Sequence, residues 1–103
     1  MKTHWDTKAK DSLRQIARYI NMKFGRKARQ EFMQRVRDAE NQLKSSPTIG
    51  QIDPLFAHRS GTYRSVVIKG LNKMVYCIDN DTIYIVAFWD TRREPGNQAR
   101  QVH

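Results

Sequence analysis

Apolar side chains recur every three or four residues through the first half of the chain. Ala9, Leu13, Ile16, Ala17, Ile20 and Phe24 make one stripe at helical spacing. Asp6 or Thr7 stands before it as a cap, and Gly25 is placed to close it in the left-handed region. A second stripe, Ala28, Phe32, Val36, Ala39 and Leu43, follows at once and stops at Ser45, Ser46 and Pro47. Two helices with almost nothing between them predict a tight antiparallel hairpin.

The texture changes after residue 45. Ser45, Ser46, Pro47, Gly50 and Pro54 break any period as far as Gly61, which reads as loop. Tyr63 to Lys69, Lys73 to Asp79 and Thr82 to Trp89 are rich in β-branched and aromatic residues, with turns at Gly70, Leu71 and Asn72 and at Asn80 and Asp81. They predict an antiparallel meander. Its last run is almost continuously apolar, as expected of a central strand covered on both faces, and Lys2 to Trp5 can add a strand beside it. The order β-α-α-β-β-β is α+β: a helical hairpin packed on a small antiparallel-rich sheet. Residues 1–103 read as a single domain.

That length excludes a dinucleotide-binding enzyme fold or a barrel, while 39% hydrophobic residues suffice for a modest core. Nineteen bases against ten acids leave a net charge of +9, which points to a polyanion or an acidic protein as partner. The excess lies mainly in the hairpin. Lys10, Arg14 and Arg18 stand four apart on the first helix, and Arg26, Arg29 and Arg37 lie on the outer side of the second, all away from the apolar stripes.

One cysteine forms no internal disulfide, zinc ribbon or redox pair, so a reducing cytosol is the natural compartment and Cys77 reads as a small buried hydrophobe. No stretch has the pattern of a signal peptide or a membrane span, which predicts a cytoplasmic protein with no membrane partner. His4, His58 and His103 share no ligand spacing, so neither metal nor cofactor is expected. His58, beside Arg59, offers a group for proton transfer or else is a solvated loop residue. Tyr63, Tyr76, Tyr84, Phe88 and Trp89 suit packing, and Trp89 at its strand end suits stacking on a splayed base as well.

Several of these features together resemble the RelE/ParE superfamily of bacterial toxins. They are His4 and Trp5 with Ala9 and Leu13, the helix end at Tyr19, Ile20, Phe24 and Gly25, and the Ala28, Phe32, Val36 stripe. After these come the Leu43, Pro47, Gly50 break, the Tyr63, Arg64 pair, the Lys73, Val75, Tyr76 strand and the closing Trp89, Asp90, Thr91, Arg92, Arg93. The likeness runs over nearly the whole chain. It implies a growth-arresting toxin of a type II toxin-antitoxin module, associated as a hetero-oligomer with an antitoxin whose extended, often acidic segment wraps it. Arg14, Arg18 and Arg29 are the expected antitoxin contacts.

The superfamily contains toxins that cut messenger RNA on the ribosome and toxins that inhibit DNA gyrase. For the first activity, metal-independent and dependent on the ribosome, the resemblance makes Arg64, Lys73 and Arg93 the catalytic residues, with Arg92, Trp89 and His58 contacting substrate. Attack by a ribose 2′-hydroxyl needs proton transfer and charge stabilisation at phosphate, which cations on a sheet face supply. The sequence departs from that branch at Val66 and, approximately, Ala99, where a further base and a tyrosine are expected. Gyrase inhibition needs no catalytic group. A non-toxic nucleic-acid-binding module and an inactive relic that retains only antitoxin binding are the alternatives outside these branches.

Overall fold

A computed structural model describes residues 1–53, 62–70 and 72–90. Strand β1 spans Lys2–Trp5, helix α1 Thr7–Phe24 and helix α2 Arg26–Ser45. Strands β2 (Gln51–Ile52), β3 (Tyr63–Lys69), β4 (Asn72–Asp79) and β5 (Thr82–Asp90) complete one five-stranded sheet in the order β1-β5-β4-β3-β2. The α+β reading holds, with one addition. Gln51 and Ile52, inside the expected loop, pair antiparallel with Ser65 and Arg64 as a short edge strand.

Asp6 caps α1 by accepting a hydrogen bond from the Thr7 N–H at 3.0 Å. Gly25 alone joins the two helices: its N–H bonds the Asn21 carbonyl and its own carbonyl accepts from Arg29. It does so at φ 97°, ψ 175°, a region essentially reserved for glycine, and not in the left-handed helical region the sequence suggested. The hairpin crosses the sheet so that Ala9, Phe32, Val36 and Leu43 meet Ile68, Met74, Tyr76, Ile83, Ile85 and Phe88. Full burial of each large apolar side chain among these contributes about 1.5–3 kcal/mol.

Phe24 departs from the expected stripe. It is 66% exposed, whereas Ala9 and Ala17 on the same stripe are buried.

Strand β1 runs parallel to β5, with Trp5 opposite Ile85, and the Thr3 hydroxyl ties it to Glu40 on α2. Pairing of β4 with β5 shifts at Val75 and Tyr76, so Val86 is an extra residue in β5. The consequence is a change of face. Ile83 and Ile85 point into the core, and after the shift Phe88 does too, edge-on to Phe32 at 5.9 Å and stacked on Trp5 at 6.5 Å. Trp89 is thereby turned to the side away from the helices, opposite Lys73.

Candidate functional site

Arg64 and Tyr76 are direct cross-strand partners on β3 and β4, and Tyr76 belongs to the core, so both lie on the helix side of the sheet. There they hold the segment that follows α2. The Arg64 guanidinium donates to the carbonyls of Gly50 at 2.9 Å and Thr48 at 3.4 Å. The Tyr76 hydroxyl donates to the Pro47 carbonyl at 2.6 Å and accepts from the Gly50 N–H at 3.0 Å. Burial pushes the Tyr76 phenol above its ordinary pKa, against the pull of the Gly50 N–H and the Arg64 charge. At neutral pH it therefore stays protonated and keeps its donor.

Lys73 is next to core-facing Met74 and so lies on the opposite face from Arg64. Its ammonium sits 2.7 Å from Asp53 Oδ2, and both residues are buried. Trp89 is half-buried, and its indole N–H has no hydrogen-bond partner among the described residues. Cys77, also on this face, is half-buried, and burial with the nearby Asp79 charge raises its thiol pKa, which disfavours a thiolate at neutral pH.

The expected cations thus do not converge: Arg64 is engaged with backbone carbonyls on one face and Lys73 with a carboxylate on the other. His58, Arg92, Arg93 and Ala99 lie outside the described residues. Val66 is half-buried and packs against the core. Sequence reasoning missed Asp53, although a signal was present: it is the only acid between Glu40 and Asp79.

The three arginines expected to meet an antitoxin do come together. Arg14 and Arg18 from α1 and Arg29 from α2, with Lys10, line a groove of about 570 Å³ floored by Trp5, Leu13, Ala17 and Met33. The rim is cationic and the floor apolar. Arg14 contacts Asp11 at 3.2 Å, but both side chains are exposed and the pair is weak. Among the described residues no three His, Cys, Asp or Glu side chains form a metal-binding group, and no helix is long and apolar enough to cross a membrane.

The family model for the ParE toxin of the type II toxin-antitoxin system parDE matches residues 4–95. The chain belongs to the ParE toxin family. This family's fold is also seen in a solved structure titled as the chromosomal ParDE system from P. aeruginosa, with a TM-score of 0.69 and 17% identity over 85% of this chain and 92% of that one. The YoeB/ParE toxin from Agrobacterium tumefaciens is similar at a TM-score of 0.58 and 17% identity, over 85% and 95% of the two chains. A YoeB dimer from Staphylococcus aureus gives 0.57 and 16% identity, over 84% and 92%. At these identities the likeness shows the fold alone. No curated protein matches in sequence. Membership in the ParE family implies a cognate antitoxin as partner.

Proposed function

We propose that this ParE-family toxin arrests growth by binding and inhibiting DNA gyrase, and that it does not cleave RNA. The observation that carries the reading is the engagement of Lys73 with buried Asp53, on the face opposite Arg64. A cation that stabilises a phosphate in a transition state must reach it with its charge uncommitted. Lys73 is shielded by its carboxylate, and Arg64 is spent on Thr48 and Gly50. Val66, packed against the core, supplies no base between them. Gyrase inhibition asks only for a binding surface.

The antitoxin's segment lies in the groove of Lys10, Arg14, Arg18 and Arg29. An acidic chain with apolar anchors satisfies both its rim and its floor.

Induction in cells without antitoxin, with plasmid supercoiling and protein synthesis followed together, tests the mechanism. Supercoiling should fail first. Loss of translation with ribosomal messenger cut and supercoiling intact would overturn it in favour of ribosome-dependent cleavage.

A further inference from the structure

At the free end of the hairpin three large apolar side chains stand in water: Tyr19 is 53% exposed, Met22 79% and Phe24 66%. A solvated helix end has no need of them. Between residues 19 and 28, clear of the groove, the chain also carries three bases, Lys23, Arg26 and Lys27, and no acid, and among the described residues none of them is ion-paired. The tip combines exposed apolar surface with unopposed positive charge.

Each feature narrows the occupant. A second copy of this chain would bring like charge against like. A nucleic-acid backbone would meet the cations and leave Met22 and Phe24 in water. A flat anionic lipid surface would need the apolar groups on one side of the helix, but Met22 and Phe24, two residues apart, point about 200° from each other around its axis. A recess that surrounds the helix end takes both. None of Tyr19, Met22 and Phe24 lines the groove of Arg14 and Arg29, so the tip is a separate surface.

We propose that the hairpin tip is the surface by which the toxin grips its target, and that the target offers an apolar recess rimmed by carboxylates on a protein. The proposal rests on the reading of the chain as a toxin that acts by binding. Apolar anchors seated in a recess set the dissociation rate, while the surrounding charge speeds the encounter.

The test uses Met22→Ser/Phe24→Ser and Arg26→Glu/Lys27→Glu, each checked for fold by circular dichroism, with Met22→Ser alone should either double variant not fold. Growth arrest on induction and affinity of the purified protein for gyrase are measured. The apolar variant should lose arrest and bind at least about tenfold more weakly, as truncation of interface anchors does. The charge variant should associate more slowly. Folded variants that arrest growth as the parent does would overturn the proposal. If the parent does not bind gyrase but the variants lose arrest, the gyrase reading falls and the tip assignment stands. If the parent binds naked duplex DNA or phosphatidylglycerol vesicles and the variants lose that binding along with arrest, a protein recess is the wrong occupant.

Discussion

Lys73 Nζ lies 2.7 Å from Asp53 Oδ2, and both residues are shut away from water. A lone buried charge costs far more than the pair, so the energetic weight lies in leaving one partner behind. Lys73→Ala should lower stability by about 3–5 kcal/mol, and replacing both partners with apolar residues of similar volume, Asp53→Leu with Lys73→Met, should restore most of it. Urea unfolding midpoints of the two variants check this. A catalytic lysine would give a different pattern, with activity lost and stability kept.

Gly50 fits against Tyr76 only because it has no side chain. A Cβ there would stand 2.8 Å from Tyr76 Cε1 and Oη and 2.9 Å from the Ser65 carbonyl oxygen. Gly50→Ala should therefore destabilise through displaced backbone. Tyr76→Phe should cost about 1–3 kcal/mol because it leaves the Gly50 N–H and the Pro47 carbonyl without their partner. Thermal unfolding of the two variants and the parent measures both effects.

Alkaline pH should weaken the fold. The Tyr76 phenol and the Cys77 thiol both titrate above their ordinary values because of burial. The unfolded chain then loses its protons first, so their stabilising contribution is complete below the unfolded pKa values, about 8.5 for Cys and 10 for Tyr, and declines above them. Urea midpoints from pH 7 to pH 11 should fall. Cys77→Ala should flatten the earlier part of that decline and Tyr76→Phe the later part; curves parallel to the parent's would refute the assignment.

Reversing Arg14 and Arg18 to Glu should slow antitoxin association and leave the toxin folded, since both side chains are exposed. Screening acts over about 8 Å at physiological ionic strength, so the parent's on-rate should fall with added salt while its off-rate changes little. Stopped-flow or surface-binding kinetics decide it. An on-rate indifferent to salt and to the reversal would remove the groove as the landing surface.

Most of the architecture was legible in the chain because periodicity reports local burial. The 3.6-residue stripes marked α1 and α2, and β-branched runs marked β3, β4 and β5 almost to the residue. What was not legible depends on where an element meets its neighbours. Phe24 follows the stripe but stands exposed at the end of α1, and Gln51 with Ile52 becomes a strand only because β3 offers an edge. The extra residue Val86 exchanges faces within β5, which decides that Phe88 packs in the core and Trp89 sits opposite Lys73. Arg64 and Lys73 read alike as strand cations. Their separation onto two faces, and the claim of Asp53 on one of them, required the register.

Purified toxin, freed from its antitoxin, should be added in parallel to gyrase acting on relaxed plasmid and to ribosomes programmed with a defined messenger. A toxin that inhibits gyrase should abolish supercoiling and leave the messenger intact. Cleaved messenger with supercoiling unaffected would contradict that mechanism.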